Sequence, residues 1–359
     1  MPRTAEVSAG AMHPAHPRLS LADKVEALRQ PASYPERSHM VDALETHMSW
    51  VFLTDEYVYK LKKPVRYDHQ HFGTVSGRRF YCEEELRLNR RLAPSVYLEV
   101  LPLVLGGDGR LRVGGAGAAV DWLVKMRRLP ADAMLDATLA RGAATASQLQ
   151  GVGRRLAAFH KAQPKAPLSP AGYRALLLRH TDEYERDLCA PAGGLPRARV
   201  AALCERQRTM LGALSACLDA RVAAGRVIEA HGDLRPEHVY LGEPPSIIDC
   251  LEFSPELRWL DGADEVGFLA LECERARAGS LGRVLLESWR EAIGDSVSPA
   301  LVHFYQSCRA CSRARLAIRH LLEARYRGSP QWRRRTLRYL ALAERHLKAA
   351  NATLAPATR

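Results

Sequence analysis

The sequence has no uninterrupted apolar run of about 18 residues, the length that a membrane-spanning helix needs. Its first residues scatter Pro, His and Ala without a continuous apolar segment, so we do not expect a secretory signal peptide. The eight cysteines are dispersed along the chain, which is typical of a protein kept reduced and not of a disulfide-stabilised secreted domain. These absences predict a cytoplasmic chain with no membrane partner.

The sequence also lacks the second cysteine pair that a structural zinc site would need. Cys308 and Cys311 form one CxxC motif, but a zinc ion takes about four ligands and no other pair lies at a suitable spacing. Both cysteines share a helical stripe with Phe304 and Ile318. Because a free cysteine packs like a small apolar side chain, we expect them to be buried on a helix face.

The charge of the chain is unevenly distributed. The 359 residues carry a formal net charge of +12, and their 47% hydrophobic and 26% charged content is ordinary for a globular protein. From Arg309 to Arg345 there are eleven arginines and two glutamates, an excess of nine positive charges. This excess permits an acidic partner, but a run of charge is more often a solvated helix face. We therefore do not expect nucleic acid to be the partner.

The pattern of apolar residues divides the chain into a strand-rich and a helical part. After a helix near Leu21, the segments THMSWVFL and YVYKLK read as a hairpin around a short polar turn. Further strands are predicted before Pro130, and helical periodicity dominates from about Leu149 onward. We predict an α+β chain with a disordered N-terminus at residues 1–18, a strand-rich N-lobe at 19–125, a mostly helical C-lobe at 126–351 and a disordered tail at 352–359.

The segment from Val227 to Phe253 contains the strongest chemical signal. It reads as a short strand, a polar loop, a second strand, a tight Gly-Glu-Pro-Pro turn and a third strand that ends at Asp249. This hairpin brings Asp233, His238 and Asp249 into one small volume. Phosphoryl transfer needs such a set, with one carboxylate for the acceptor hydroxyl and another for a metal ion. The same residues would also suit a hydrolytic metal site or structural turn caps.

The sequence HGDLRPEH resembles the catalytic loop of aminoglycoside phosphotransferases and related small-molecule kinases, whose pattern is HGDxxxxN. The resemblance implies a two-lobed protein-kinase-like fold and transfer of the γ-phosphate of ATP to a hydroxyl of a small acceptor. It implies that Asp233 is the catalytic base and that His231 braces the loop. It also implies that Asp249 binds Mg²⁺, or Mn²⁺, together with His238, which stands where the family has Asn.

The resemblance extends weakly to the strand-rich part. In kinase-like folds, a strand lysine reaches the phosphates and pairs with a glutamate on the next helix. Lys60 in YVYKLK is the first choice for that lysine, and Lys62 on the same strand face is the alternative. Glu85 in CEEELRLNRRL is the corresponding glutamate, because Leu88 and Leu92 place it on the inward edge of the helix.

The segment VKMRRLP occupies the expected hinge between the lobes, and Met126 and Arg127 are its predicted nucleotide contacts. The segment FYQSCRACSRARLAIRHLLE resembles the C-terminal helix of a bacterial subgroup of this family, some members of which carry a fused P-loop ATPase. No GxxxxGK[ST] motif occurs in this chain, so we expect no such ATPase unit here.

Glu265 stands where the family usually has a second Asp. Two other departures from the family pattern leave a second hypothesis open: the first strand reads ETHMSWVF without a GxGxxG motif, and His238 replaces Asn. A pseudokinase-type interaction module with weak or no catalysis therefore remains the alternative. The acidic run TDEYERD would line a site for a polycation or form an exposed helix face. The sequence identifies neither the acceptor nor an oligomeric state.

Overall fold

The computed structural model describes residues 19–65, 72–190, 194–322, Tyr326 and residues 329–354. The predicted disordered N-terminus, residues 1–18, lies outside the described residues, as does 355–359 of the predicted tail. Residues 352–354 were predicted to belong to that tail, but they form the end of the last helix. Helical hydrogen bonding continues there, and Thr353 Oγ1 donates to the Ala349 carbonyl at 3.0 Å. No helix among the described residues is both long and apolar enough to span a bilayer.

The chain folds into two compact units, one rich in strands and one mostly helical. The first unit extends to Glu83 and includes Leu98–Arg128, whereas the second comprises Glu84–Tyr97 and the chain from Leu129 onward. The predicted division after residue 125 lies close to the observed one after Arg128. Residues 84–97 differ from the prediction, because they pack with the helical unit although they were assigned to the N-lobe.

The first unit contains a six-stranded sheet. Its strand order is β1-β2-β3-β6-β4-β5, and the described pairings of β1 with β2, β2 with β3, β3 with β6 and β4 with β5 are antiparallel. The predicted hairpin is confirmed as β2 and β3, whereas β1, an exposed edge strand, was not predicted. The elements are α1 (Leu21–Leu28), β1 (Asp42–Glu45), β2 (Ser49–Leu53), β3 (Tyr57–Lys62), α2 (Val75–Asn89), β4 (Tyr97–Leu105), β5 (Leu111–Val113) and β6 (Ala118–Arg127).

A buried ion cluster fixes the helices of the first unit to its sheet. Asp121 on β6 is buried and accepts hydrogen bonds from Lys24 on α1 at 2.7 Å and from both Nε and Nη2 of Arg78 on α2 at 2.8 Å. Such a buried carboxylate needs partners of this kind to offset its lost hydration. The bidentate Arg78 contact therefore positions the start of α2.

The second unit is mostly helical. Two small antiparallel sheets, β7 with β10 and β8 with β9, hold its central loop. The elements are α3 (Leu135–Ala140), α4 (Ala146–Ala162), α5 (Pro170–Leu188), α6 (Arg197–Ala213), α7 (Ser215–Ala223), β7 (Val227–Glu229), β8 (Val239–Tyr240), β9 (Ser246–Ile247), β10 (Trp259–Asp261), α8 (Gly262–Arg275), α9 (Gly279–Ile293), α10 (Pro299–Arg319) and α11 (Pro330–Leu354).

The arginines of α10 are not simply a solvated face, which corrects the expectation from the charge pattern. Arg309 forms a bidentate pair with buried Asp264 at 2.8 and 2.7 Å. Arg315 donates to Asp187 at 2.5 Å and to Glu183 at 2.8 Å. Much of the charge of α10 is therefore neutralised by acids that lie far away in the sequence. Cys308 and Cys311 are buried on α10, as the helical stripe predicted.

The acidic run on α5 is neutralised as well. Besides the pairs of Glu183 and Asp187 with Arg315, Arg208 on α6 donates to Asp182 at 2.8 Å and to Glu185 at 2.5 Å. Four carboxylates of the TDEYERD segment thus already have arginine partners. This arrangement does not favour the segment as a lining for a polycationic ligand.

Candidate active site

The loop between β7 and β8 turns through a glycine. Gly232 has φ of +94°, a conformation that L side chains rarely adopt. A Cβ atom at this position would lie 3.0 Å from the Leu257 carbonyl oxygen and 3.1 Å from the Leu251 side chain. The HGD sequence therefore needs glycine at its centre for both conformational and steric reasons. His231 and Asp233 therefore flank a tight turn at Gly232.

Glu265, in the first turn of α8, holds this loop in place through hydrogen bonds, and we refer to this carboxylate and its contacts as the clamp. Its Oε1 accepts hydrogen bonds from the backbone N–H groups of His231 at 2.9 Å and Gly232 at 2.7 Å. Its Oε2 lies 3.0 Å from His160 Nε2 on α4, and Trp289 Nε1 on α9 donates to His160 Nδ1 at 3.0 Å. Because Nδ1 accepts a hydrogen bond from Trp289, Nε2 carries the ring proton and donates it in the hydrogen bond to Glu265. His160 therefore orients the Glu265 carboxylate.

The surroundings of Glu265 keep it ionised although it is fully buried. Burial raises the pKa of this carboxyl, but the hydrogen bond from His160 and those from the loop outweigh burial and lower it to about 2. The sequence marked Glu265 only as a departure from the family pattern. Glutamate has one methylene group more than the aspartate of the family pattern. With this extra length, the Glu265 carboxylate contacts two backbone N–H groups and His160 together.

His231 joins the loop to the segment that carries Asp249. The imidazole is fully buried, and burial lowers its pKa, so the ring is neutral. Its Nδ1 accepts a hydrogen bond from the Asp233 N–H at 3.3 Å, and Nε2 donates to the Ile248 carbonyl at 2.8 Å. This geometry matches a bracing role, because both ring nitrogens are used to hold backbone.

The Asp233 carboxylate is held ionised next to an arginine. Arg235 Nε donates to Asp233 Oδ2 at 2.9 Å, and the side chain of Asp233 is 22% exposed. Burial raises the pKa of Asp233, but the charges of Arg235, His238 and Arg313 hold it below its ordinary value. Among the described residues no hydrogen bond reaches Oδ1, which makes this oxygen the atom best suited to bind a further polar group.

Asp249 adopts a backbone conformation that is uncommon for a residue with a side chain. Its φ is +63°, in the left-handed region that Asp and Asn tolerate better than other L residues. Strain of this kind concentrates at functional sites, where surrounding contacts maintain it. The Asp249 carboxylate is 44% exposed, so it is available to a ligand from solvent.

Residues 84–97 supply the contacts that maintain this conformation, and sequence reasoning did not identify them. The Asp249 N–H donates to Tyr97 Oη at 3.1 Å, and the Cys250 N–H donates to Asn89 Oδ1 at 2.9 Å. Arg91 donates to the Ala230 carbonyl at 3.2 Å, just before the loop. These partners are separated from their targets by 139 to 161 residues, so no local pattern could indicate them.

His238 lies between the two aspartates and presents one nitrogen to Asp249. Its Nδ1 donates to the Asp233 carbonyl at 2.8 Å, which leaves Nε2 as the nitrogen with a lone pair. Nε2 lies 3.3 Å from Asp249 Oδ2 and 3.1 Å from Arg235 Nη2. Metal-binding histidines usually donate their other N–H to a carbonyl or carboxylate, as His238 does. With Nδ1 donating, Nε2 accepts the hydrogen bond from Arg235 Nη2, so Asp249 and His238 fit a divalent ion only where that ion replaces this hydrogen bond.

No group of three or more His, Cys, Asp or Glu side chains among the described residues is arranged to hold a metal by itself. A two-residue site is nevertheless consistent with Mg²⁺, which keeps several waters and is bound through one or two carboxylates plus substrate phosphates.

The predicted nucleotide residues of the first unit and of α2 differ in burial. Lys62 is 1% exposed, and its Nζ lies 5.9 Å from the centre of the Phe72 ring, whereas Lys60 is only half-buried. Glu85 is fully buried. Met126 and Arg127 are the last two residues of β6, where Met126 is paired with Val58 in the sheet. Both lysines lie on the same face of β3, and we prefer Lys62 as the phosphate lysine because it is held more deeply in the unit than Lys60.

Comparisons with known proteins agree with this description of the fold. No family model matches the chain. Uncharacterized proteins of Mycobacterium tuberculosis and Mycobacterium bovis are 29% identical over 319 residues, which is 88% of this chain and 61% of theirs. The chain therefore spans about three fifths of the length of these curated relatives.

Among solved structures, a choline/ethanolamine kinase family protein from Mesorhizobium loti has a TM-score of 0.56 at 16% identity, over 92% of this chain and 99% of that one. Choline kinase from Cryptosporidium parvum has a TM-score of 0.55 at 8% identity, over 92% and 96%. The predicted fold class is thus confirmed: the chain has the two-lobed protein-kinase-like fold, with a small strand-rich lobe and a larger helical one.

Proposed function

We propose that this chain is a phosphotransferase that moves the γ-phosphoryl group of ATP to a hydroxyl group of a small-molecule acceptor. The observation that carries the proposal is the His238 ring, which binds the Asp233 carbonyl through Nδ1 and approaches the Asp249 carboxylate through Nε2. Kinase-like phosphotransfer needs an acceptor-orienting carboxylate beside a metal-binding carboxylate, and in this proposal Asp233 and Asp249 take these two roles.

In this proposal Asp233 orients the acceptor hydroxyl and takes its proton on Oδ1. The acceptor oxygen forms a bond to the γ-phosphorus, the bond between that phosphorus and the β–γ bridging oxygen breaks, and ADP leaves. The depressed pKa of Asp233 keeps the carboxylate ionised at neutral pH. Such an ionised group orients the hydroxyl well although it is a weak base, which suits a reaction whose transition state is dissociative.

Asp249 and His238 would hold a Mg²⁺ or Mn²⁺ ion, and the metal would neutralise charge on the β- and γ-phosphates. Imidazole is a softer ligand than the Asn amide that the family pattern has at this position, so His238 suits Mn²⁺ at least as well as Mg²⁺. For the nucleotide, Glu85, Met126 and Arg127 stay as predicted from the sequence, with Lys62 now preferred to Lys60. The clamp formed by Glu265 and the brace formed by His231 hold the loop during the reaction.

Two variants test the proposal through slow ATP hydrolysis, in which water replaces the acceptor. Asp233→Asn should leave ATP binding nearly intact and lower turnover by roughly 10²–10⁴-fold, the usual size of a general-base contribution. Asp249→Asn should instead weaken metal-dependent ATP binding, measured as the ligand-induced rise in Tm. If the unaltered chain neither hydrolyses ATP nor is stabilised by ATP with Mg²⁺ or Mn²⁺, the pseudokinase-type interaction module replaces this proposal.

A further inference from the structure

A concave, arginine-rich surface lies where the end of α8 meets α11. One concavity of about 340 Å³ is lined by Arg275, Gln331, Arg334, Arg335 and Arg338. A second of about 380 Å³ shares Arg275 and Arg338 with it and is also lined by Glu274, Arg277, Ala341, Leu342 and Arg345. We refer to these residues together as the arginine groove. Volumes of this size match binding sites for small molecules.

The groove keeps an excess of positive charge in the folded chain. Arg275 pairs with Glu272 at 2.6 Å, and Arg345 pairs with Glu274. In the part of the chain that the structure describes, no carboxylate is paired with the remaining four arginines, Arg277, Arg334, Arg335 and Arg338. Glu274 is the one acidic residue in the described lining, and a concave surface with an excess of one charge concentrates counter-ions more strongly than a flat one does. This distinguishes the groove from α10, where Arg309, Arg313 and Arg315 have acidic partners.

The shape of the groove is fixed by contacts beneath the arginines. Tyr339 on α11 donates to Glu272 on α8 at 2.7 Å, and His346 Nε2 lies 2.8 Å from Glu274 Oε2. Arg334, Arg338 and Arg345 follow each other at spacings of four and seven residues, which places them on one face of α11. The guanidinium groups therefore project from a helix that is held in register against α8.

Charged contacts lead from the groove to the proposed catalytic loop. Arg313 on α10 lies 3.9 Å from the same Glu272 carboxylate that binds Arg275. Burial lowers the pKa of Arg313, but the Asp233 carboxylate is first among the groups that raise it above its ordinary value. Similarly, burial lowers the pKa of Arg275, and the carboxylates that raise it are Glu272 and, from the catalytic loop, Glu237. The loop is thus within electrostatic range of one end of the groove.

We infer that the acceptor is a small hydroxyl compound that already carries a phosphate group, and that the arginine groove binds this phosphate. The inference rests on the phosphotransferase function proposed above. Arginine matches the geometry of phosphate oxygens with two parallel N–H donors, and a phosphate monoester brings a charge of about −1.5 to −2 for several arginines to share. The hydroxyl of this compound would form its new bond to the γ-phosphorus of ATP, lose its proton to Asp233 and release ADP, giving a product with two phosphate groups.

The experiment is a calorimetric titration of the full chain with glycerol 3-phosphate, inorganic phosphate and, as a probe without phosphate, glycerol. The double variant R334Q/R338Q should weaken binding of both phosphate probes by about ten-fold or more, since each lost charged hydrogen bond costs about one decade of affinity. The control R333Q makes the same kind of change on the same helix. Arg333 does not line the groove and donates to the Gly194 carbonyl at 3.3 Å, so its variant should bind like the unaltered chain. The Tm of each variant without ligand checks that it is folded.

Unchanged phosphate affinity in R334Q/R338Q would overturn the inference, and so would tight binding of an RNA duplex without any binding of the phosphate monoesters. A second measurement compares ATP consumption with hydroxyl compounds and with their phosphate esters as acceptors. We expect stimulation by at least one ester and by none of the parent alcohols. If the chain hydrolyses ATP but the groove binds no phosphate, the inference fails and the proposed function stands. If the groove binds phosphate but ATP is neither bound nor hydrolysed, the proposed function fails and the acceptor role of the groove fails with it.

Discussion

Replacing Glu265 by glutamine tests whether the clamp beneath the catalytic loop is electrostatic. The carboxylate accepts from the N–H groups of His231 and Gly232 and binds His160. The introduced amide would be able to accept from the two backbone donors through its carbonyl oxygen, but its NH₂ group would face the proton on His160 Nε2. Two buried donors would then oppose each other, which costs about 1–3 kcal/mol, and the charge in the remaining hydrogen bonds would be lost.

The depressed pKa of Glu265 gives a second estimate of the same quantity. A folded-state pKa of about 2, against an ordinary value of 4.5, corresponds to a stabilisation of about 3 kcal/mol that is fully present above pH ~4.5 and is lost as the pH falls toward 2. E265Q should therefore lower the free energy of unfolding by about 3 kcal/mol at pH 7. The difference from the unaltered chain should shrink by about 1.4 kcal/mol for each pH unit below 4.5.

The assay is urea unfolding followed by far-UV circular dichroism, which reports mainly on the helices of the second unit. The midpoint should change while the slope with urea stays constant, as expected for a change in stability alone. E287Q is the matched control, because Glu287 is exposed on α9. A loss of less than about 1 kcal/mol at pH 7, or a difference that stays constant between about pH 7 and pH 3.5, would refute an ionised clamp.

Two further predictions concern ligands. K62M should weaken ATP binding by more than about ten-fold, whereas K60M should weaken it by only a few-fold, because Lys62 is the buried lysine of β3. Equal effects of the two substitutions, in a titration of the folded variants with ATP, would refute this choice. H238N should shift the metal dependence of ATP hydrolysis from Mn²⁺ toward Mg²⁺, because an amide oxygen replaces a softer imidazole nitrogen. If the ratio of the hydrolysis rates with Mn²⁺ and with Mg²⁺ stays unchanged, His238 does not bind the ion.

The elements that sequence reasoning identified are those with a strong local signal. The β2–β3 hairpin is rich in β-branched and aromatic residues around a short polar turn, and its prediction is confirmed. The strands that were missed are short, and the reason differs between them. β1 is an exposed edge strand with little apolar content, and the three residues of β10 pair with β7, about 30 residues earlier in the chain. Local patterns carry no information about such pairings.

For the site, the sequence proposed residues for the chemistry but gave no sign of the contacts that hold them in place. HGDLRPEH pointed to Asp233, His231 and His238, and the structure brings these residues together with Asp249. In the sequence, Glu265 was noted only because it departs from the family pattern, and its role in the clamp was not predicted. Whether the motif binds nucleotide and metal stays a prediction.

The position of residues 84–97 has a consequence for how the chain folds during synthesis. These residues belong to the helical unit, yet Leu98–Arg128 of the other unit separates them from the rest of it. Asn89 is synthesised 161 residues before Cys250, the backbone group that it binds. Contacts between residues so far apart in the sequence form late, because the entropy cost of closing a long loop opposes them until the contact is made. The helical unit therefore cannot complete its central loop until Cys250 has left the ribosome, and a fragment that starts at Leu129 would leave the N–H groups of Asp249 and Cys250 without their side-chain acceptors.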